Sequence, residues 1–235
     1  MKRFFESVTT DRREGGFAVL LDGRAMLTPA KNDLELPSAG LAKAIAAEWA
    51  AQEEEIEAAT MPLTRHAYTA VDGVRQTVDQ VVAEITRFAE TDLLCYRADM
   101  PKILADQQAR AWQPLLDWLR DAHGTTLVVT NGVIPVQQSP EQIAALKSLV
   151  AAHDLYALTA LHTLVSISGS LVIGLAVSAG RLDATTAWVA SRIDYDFQAA
   201  QWGADPESAA DAIGTRSDLE AAARFLDLAR VKTAD

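Results

Sequence analysis

The chain has 235 residues, 49% of them hydrophobic and 23% charged, so it can form one large domain or two modest ones with a substantial core. Its net charge of −11 excludes nucleic acid and anionic lipid as expected partners, because an acidic surface repels both. The single cysteine, Cys95, permits no intramolecular disulfide and indicates a reducing compartment.

The first part of the chain has the turn signals of an antiparallel sheet. The pair Asp22-Gly23 stands between two apolar runs, which is the strongest short-range signal for a β-hairpin. Gly15-Gly16 supplies the turn before it, and "NDLELPS" predicts a further short strand that Pro37 closes. A small β-rich unit is therefore expected at the N-terminus.

A helix is predicted to follow this unit. Ser38 is in the N-cap position of "AGLAKAIAAEWAAQEEE". One apolar stripe at four-residue steps consists of Leu41, Ile45 and Trp49, which favours core packing for the tryptophan. The acidic run "QEEEIE" is either a solvated helix end or a landing zone for a basic partner. Pro62 is expected to end regular structure nearby.

Beyond Pro62 the periodicity is mainly helical. Helices are predicted over "VRQTVDQVVAEITRFAETDLL" and over "ADQQARAWQPLLDWLRDAHG", the second stopped by Gly124. Asn131-Gly132 within "TTLVVTNGVIPV" predicts a second hairpin. Further helices are expected at about 140–152, 154–167, 170–179, 183–201 and 205–230. The sequence thus predicts an α+β fold, with a β-rich N-terminal domain at 1–62 and a larger orthogonal helical bundle at 63–235.

The stretch from Tyr156 to Gly180 has no formal charge over about 25 residues, which is long enough to span a bilayer. Its middle is interrupted by "SISGS", and glycine and serine at that density favour a break between two shorter helices. A buried helical hairpin is therefore expected here, and no membrane insertion.

The motifs of common enzyme sites are absent from the sequence. It contains no G-x-x-x-x-G-K-[ST], no G-x-G-x-x-G and no G-x-S-x-G. Its histidines share no metal-ligand spacing with one another or with Cys95, which is expected to be a buried, inert thiol. No catalytic, cofactor-binding or metal-binding residue is predicted.

The segment "RIDYDFQAAQWG" combines acids with aromatic residues. Asp194 and Asp196, two apart on a helix, point about 200° away from each other and should not hold one metal or one water together. The aromatic residues at seven-residue spacing, Trp188, Tyr195 and Trp202, share a stripe with Asp194, Gln198 and Gln201 beside it. This stripe is either a core stripe with a solvated flank or a protein-docking face.

A set of motifs in order resembles a known family: "GGFAVLLDGR", "TPAKN", "AIAAEWAAQ", "ATMPLTR", "TDLLCYRAD", "QQARAWQPLLDW" and "QWG". From about Phe4 to Phe225 the chain resembles the assembly chaperones of the ATP synthase alpha subunit, the Atp-twelve family. The resemblance implies a chaperone without catalytic activity or cofactor that binds the free alpha subunit and prevents its aggregation before it joins beta. The free protein is expected to be a monomer.

The resemblance also suggests where the partner binds. The family pattern matches at "AAEWAAQ" and "RIDYDFQAAQWG", and the residues predicted to contact the alpha subunit are Glu48, Trp49, Asp194, Tyr195, Gln198, Gln201 and Trp202. Mitochondrial members carry a presequence, which this sequence lacks, so a bacterial cytoplasmic location is expected.

Two other functions remain open. The density of carboxylates allows a small-molecule enzyme that uses Glu90, Asp92, Asp194 and Asp196. The long acidic surface allows a scaffold with several partners.

Overall fold

The computed structural model describes residues 1–132, 134–203 and 205–230, with the backbone alone at 206–209. The chain divides into two compact units. The first unit contains Met1–Val78, Asp154–Ala160 and the described residues from Ala221 onward. The second contains Asp79–His153 and Leu161–Glu220. An α+β fold is confirmed, because small sheets and many helices occur together.

The division into units differs from the predicted boundary between 1–62 and 63–235. Residues 63–78 belong to the first unit, where Leu63 and Ala67 are buried. The short segment 154–160 joins it through Tyr156, whose ring lies 6.2 Å from that of Phe225. His66 packs on Phe225 as well, with ring centroids 5.3 Å apart. Packing between segments far apart in sequence therefore sets this boundary, and a local change in composition does not reveal it.

The first unit contains a three-stranded antiparallel sheet in the order β1 (Val8–Arg12), β2 (Phe17–Leu21) and β3 (Arg24–Ala25). The hairpin at Asp22-Gly23 is confirmed, and both residues have positive φ, 48° and 77°, as a type I′ turn requires. "NDLELPS" forms two isolated bridges, Leu27 with Asp33 and Phe17 with Leu36, and the predicted strand there is wrong. Pro37 limits the pairing because it has no N–H to donate.

Helix α1 (Ala39–Ala50) follows the sheet as predicted. Ser38 Oγ accepts a hydrogen bond from Leu41 N at 3.0 Å, so Ser38 is the N-cap. The next helix, α2 (Pro62–Tyr68), begins at Pro62, and the expectation that this proline ends regular structure is wrong. Proline suits the first helical position because the N–H that it lacks would have no partner there.

The remaining helices are α3 (Val78–Arg87), α4 (Lys102–His123), α5 (Pro140–Ala151), α6 (Leu155–Ser168), α7 (Leu171–Ser178), α8 (Ala184–Ser191), α9 (Ile193–Trp202) and α10 (Pro206–Arg230). Short helical turns lie at Ala58–Thr60, Thr69–Gly73, Val74–Gln76, Phe88–Thr91 and Leu93–Cys95. Helix α4 stops at Gly124 as predicted, because this glycine adopts the left-handed conformation, with φ 65°. Helices α6 and α10 contribute residues to both units.

The predicted second hairpin at Asn131-Gly132 is wrong. Strand β5 (Thr130–Asn131) pairs in parallel with β4 (Tyr96–Arg97), and Gly132 N donates to Arg97 O at 2.7 Å. Val133, inside the predicted second arm of the hairpin, lies outside the described residues. The β-branched residues here therefore pair with a strand more than thirty positions earlier.

The uncharged stretch forms the expected buried helical hairpin. Every residue of α7 is buried, and Gly169 has a φ of 67° between α6 and α7. Gly174 of α7 lies against α6, where an added Cβ would collide with the side chain of Val165 and come within 3.1 Å of Leu161 Cδ1. Among the described residues, no helix is long and apolar enough to cross a bilayer.

Gly174→Ala should destabilise the protein, because a methyl group at this position overlaps the Val165 side chain in a close-packed core. Overpacking of this kind costs about 1–3 kcal/mol. Gly214→Ala is the matched control, since it lies in α10 with no atom within 4 Å of the new Cβ and should gain up to about 1 kcal/mol of helix propensity. Urea unfolding measures both, and equal stability changes in the two variants would contradict the tight packing of α7.

Candidate protein-binding surface

Helices α8 and α9 are anchored on α4 in the second unit. Trp112 Nε1 donates to Ala190 O at 2.8 Å, and Gln108 Nε2 donates to Asp194 Oδ1 at 2.5 Å. Gln108 is itself fixed, because its Oε1 accepts from Ala98 N at 2.7 Å. Trp112 and Gln108 are both buried, so these hydrogen bonds hold the end of α8 and the start of α9 firmly against α4.

The break between α8 and α9 contradicts the predicted single helix over 183–201. Arg192, with φ −115° and ψ 8°, separates the two helices. Its guanidinium lies 4.8 Å from the centre of the Trp188 ring and 4.0 Å from that of Tyr195, and its Nε lies 3.4 Å from Asp196 Oδ1. Cation–π contacts and this ion pair therefore order the junction.

An apolar groove runs between α4 and α9, with a volume of about 530 Å³. Its apolar lining consists of Val189, Ile193, Phe197, Ala200 and Ala111. Gln107 and Arg110 of α4 and Asp196 of α9 supply the polar part of its lining. The side chain of Val189 is 55% exposed, although it is a large aliphatic residue. Apolar walls with a polar rim are typical of surfaces that bind another protein.

The groove occupies only one face of α9. At about 100° per residue, Ile193 and Phe197 lie roughly 140–180° around the helix from Tyr195 and Trp202. Trp202 is 80% exposed at the end of the helix. The faces of α9 on either side of its contact with α4 therefore differ: one forms the groove wall, and the other is an aromatic face.

The predicted contact residues of α9 have different environments. Asp194 and Tyr195 are half-buried, whereas Gln198, Gln201 and Trp202 are exposed. Asp194 bonds Gln108 and Asp196 pairs with Arg192, so each acid has its own partner, as their spacing predicts. The predicted stripe of Trp188, Tyr195 and Trp202 on one helix is wrong, because the break at Arg192 places Trp188, which is buried, on α8.

Glu48 and Trp49 lie in the first unit, and both have structural roles there. The Glu48 carboxylate accepts hydrogen bonds from Leu63 N, Thr64 N and Thr64 Oγ1 at 2.7–2.8 Å, which caps the start of α2. Trp49 is only 6% exposed, and its ring lies 5.6 Å from that of Phe5. Among the predicted contact residues, Gln198, Gln201 and Trp202 of α9 are therefore the exposed ones.

Sequence reasoning missed the apolar wall of the groove. Val189, Ile193 and Phe197 follow one another at four-residue steps, a spacing that predicts a shared apolar face. Arg192 was also missed, although it stands four residues after one aromatic residue and three before another. Its ion pair with Asp196 has the common i,i+4 spacing.

The Cys95 thiol and the Asp92 carboxyl are both buried in the core. Burial raises the pKa of the Cys95 thiol to about 12, so it stays protonated and unreactive at neutral pH. Asp92 is fully buried, and it accepts hydrogen bonds from Ser170 Oγ at 2.7 Å, Leu94 N at 3.0 Å and Val172 N at 3.1 Å. Within the described parts of the chain, no cluster of three or more His, Cys, Asp or Glu side chains could hold a metal ion.

Comparison with known proteins agrees with this description. Residues 2–120 match the ATP12 chaperone protein family. The protein atp12, mitochondrial, of Schizosaccharomyces pombe is 22% identical over 214 residues, covering 86% of this chain and 74% of the relative. The crystal structure of Atp12 from Paracoccus denitrificans is 47% identical, with a TM-score of 0.94 and coverage of 97% and 98% of the two chains. A chaperone candidate from Agrobacterium tumefaciens is 39% identical, with a TM-score of 0.91 over 96% of this chain and 85% of that one.

An α+β fold with these matches defines the class of the protein: it is a chaperone and not an enzyme. The chain belongs to the ATP12 chaperone family. The resemblance carried by the ordered sequence motifs is thereby confirmed.

Proposed function

We propose that this chain binds the free alpha subunit of the F-type ATP synthase and prevents its aggregation until it assembles with beta. The observation that carries the proposal is the exposed apolar groove along α9 in a member of the ATP12 chaperone family. We further propose that the chain is a monomer when free and acts in the bacterial cytoplasm. The similar Paracoccus and Agrobacterium proteins are bacterial, which supports this location.

Exposed apolar area explains why an unassembled subunit needs such a partner. A subunit that is destined for a large interface exposes that interface before assembly, and exposed apolar surface leads to aggregation. A chaperone must cover this surface and later release it, so its contact should combine an apolar centre with a polar rim. The groove has this composition: Ile193 and Phe197 belong to its apolar wall, and Arg110 and Asp196 belong to its polar part.

The proposed contact surface includes both accessible faces of α9. The groove face contributes Ile193, Phe197 and Ala200. The other residues proposed to contact the partner are Asp194, Tyr195, Gln198, Gln201 and Trp202. A large exposed indole such as Trp202 is a typical anchor in protein contacts, because it covers much area with few rotatable bonds.

Co-expression tests the function directly. We expect the soluble fraction of the alpha subunit to rise severalfold when this chain is expressed with it, and the two proteins to elute together in gel filtration. The isolated beta subunit is the control, and its solubility should not change. An alpha subunit that is no more soluble with this chain than without it would contradict the proposal.

A further inference from the structure

The first unit contains a second apolar depression, beside strand β3 and unrelated to the α9 groove. It has a volume of about 500 Å³, and its apolar lining includes Phe4, Leu21, Met26, Leu27, Trp49 and Tyr68. Phe4 is 62% exposed and Leu27 is 48% exposed, so both present apolar surface to solvent. Apolar side chains grouped around a cavity indicate a place where another molecule can bind.

The open edge of the sheet lies in the same depression. In the β2–β3 hairpin, Leu21 pairs with Arg24 and Leu20 pairs with Ala25. Met26 N donates to Val19 O at 2.9 Å, so hydrogen-bonded pairs alternate with non-hydrogen-bonded pairs, and Ala25 belongs to the second kind. The N–H and C=O of Ala25 therefore point away from β2, and within the described residues no backbone group pairs with them.

Two charged side chains, Arg24 and Asp22, line the depression. Arg24 is exposed, and within the described part of the chain it takes part in no ion pair. The Asp22 carboxylate keeps its negative charge, but its Oδ1 accepts hydrogen bonds from Glu6 N, Ser7 N and Ser7 Oγ at 2.8–3.1 Å, and it forms no ion pair with Arg24. These hydrogen bonds hold the pKa of Asp22 below its ordinary value. An anionic group on a ligand would therefore find an available cation here.

We propose that this depression is a docking site for an extended segment of a partner polypeptide, which adds to the edge of β3. The backbone of the segment would pair with Ala25, a large apolar side chain would enter the cavity, and an acidic side chain would bind Arg24. Successive side chains of a strand alternate between its faces, so the apolar and the acidic residue should be two positions apart. The proposal does not depend on the identity of the partner or on the proposed contact at α9.

The polypeptide nature of the ligand follows from the combination of these features. A free N–H and C=O on one edge residue are matched by the backbone of another extended chain, which is the basis of β-strand addition. The cavity is larger than a single leucine or phenylalanine side chain, so it can also hold part of the backbone that carries that side chain. The acidic preference follows from Arg24 alone, and the edge pairing from Ala25 alone.

A blocked peptide, Ac-Thr-Phe-Thr-Asp-Thr-NH2, tests the site on the full chain labelled with 15N. We expect saturable chemical-shift changes at the Ala25 amide and the Trp49 indole, and slower hydrogen exchange of the Ala25 N–H. The same peptide with alanine in place of phenylalanine should bind at least about tenfold more weakly, because it loses the buried ring. Changes confined to the α9 groove, or no saturable change at millimolar peptide, would overturn the proposal.

Matched variants isolate the two recognition elements. Arg24→Gln should remove the preference for the aspartate peptide over its asparagine analogue, whereas Lys43→Gln, which removes an exposed charge from α1, should leave it unchanged. Ala25→Pro removes the edge N–H at a position where a strand tolerates proline, and should weaken binding of both peptides equally. Equal binding of the aspartate and asparagine peptides to the unmodified chain would also overturn the proposal.

Discussion

Ala200→Asp and Phe197→Asp should each weaken binding of the alpha subunit by at least tenfold. Both residues line the α9 groove, and each substitution adds a second carboxylate beside Asp196 in an apolar depression. Burying an ionised group without a partner costs several kcal/mol, and like charges add to this cost. Titration calorimetry with purified alpha subunit measures the loss, and thermal unfolding of the variant checks its fold.

The two variants differ in what they remove from the folded chaperone. Phe197 is half-buried, so its replacement also removes packing, whereas Ala200 is exposed and its replacement only adds a charge. Ala200→Asp therefore keeps the test valid even if Phe197→Asp lowers the unfolding midpoint. If Ala200→Asp binds like the unmodified chain, the groove is not the contact.

Trp202→Ala is the comparison variant on the aromatic face. Trp202 is 80% exposed, so its removal should change the free energy of unfolding by less than about 0.5 kcal/mol. We expect a smaller loss of affinity than for Ala200→Asp, because the groove supplies the apolar centre of the contact. A larger loss for Trp202→Ala would place the main anchor on the aromatic face, and no loss from either variant would remove α9 from the contact.

Local chemistry made part of the fold predictable from the sequence. The Asp22-Gly23 turn needs positive φ at both positions, a demand that few residue pairs satisfy. Ser38 begins a helix because its side-chain oxygen caps the N-terminus, and Gly124 ends a helix because it adopts the left-handed conformation. Each of these features depends on neighbours within about four positions, so a sequence pattern can specify it.

Features that depend on distant partners could not be predicted in this way. Thr130–Asn131 carries the residues of a hairpin arm, but it pairs in parallel with Tyr96–Arg97. The break at Arg192 is stabilised by its guanidinium, which contacts two aromatic rings. The helical periodicity of the sequence does not predict this break. Tertiary contact overrides local preference at both places.

The candidate site shows the same limit at the level of single residues. A stripe of Leu41, Ile45 and Trp49 correctly favoured the core for Trp49, because the whole stripe lies on one helix. The spacing of Tyr195 and Trp202 gives a shared face of α9, but it does not specify whether that face is buried. Which face of α9 is buried depends on how α4 packs against it. That packing includes the hydrogen bond between Gln108 and Asp194, which are far apart in sequence.

Asp92→Ala should be strongly destabilising, by about 3–5 kcal/mol. The buried carboxylate accepts hydrogen bonds from Ser170 Oγ, Leu94 N and Val172 N, and its removal leaves these donors without a partner inside the core. Each unsatisfied buried donor costs about 1–3 kcal/mol. Urea unfolding at neutral pH measures the loss, and a change below about 1 kcal/mol would contradict the central position of Asp92 in the core.

Asp92→Asn should reveal the charge state of this carboxyl. Burial raises the pKa of Asp92 from its ordinary 3.8 to about 6, although its hydrogen bonds oppose the rise. The folded protein therefore holds this proton more tightly than the unfolded chain does. The contribution of the protonated Asp92 carboxyl to stability is therefore fully present below about pH 4 and is lost as the pH rises through 6.

The measurable quantity is the stability of the unmodified protein minus that of Asp92→Asn, because asparagine does not titrate. This difference should fall by up to about 3 kcal/mol between pH 4 and pH 7, since one pKa unit corresponds to about 1.4 kcal/mol. Asp183→Asn is the matched control, because hydrogen bonds from Thr186 hold the pKa of the exposed Asp183 below its ordinary value. The stability of the unmodified protein minus that of Asp183→Asn should rise with pH. If the difference for Asp92→Asn also rose with pH, the Asp92 carboxylate would be ionised and stabilising in the core.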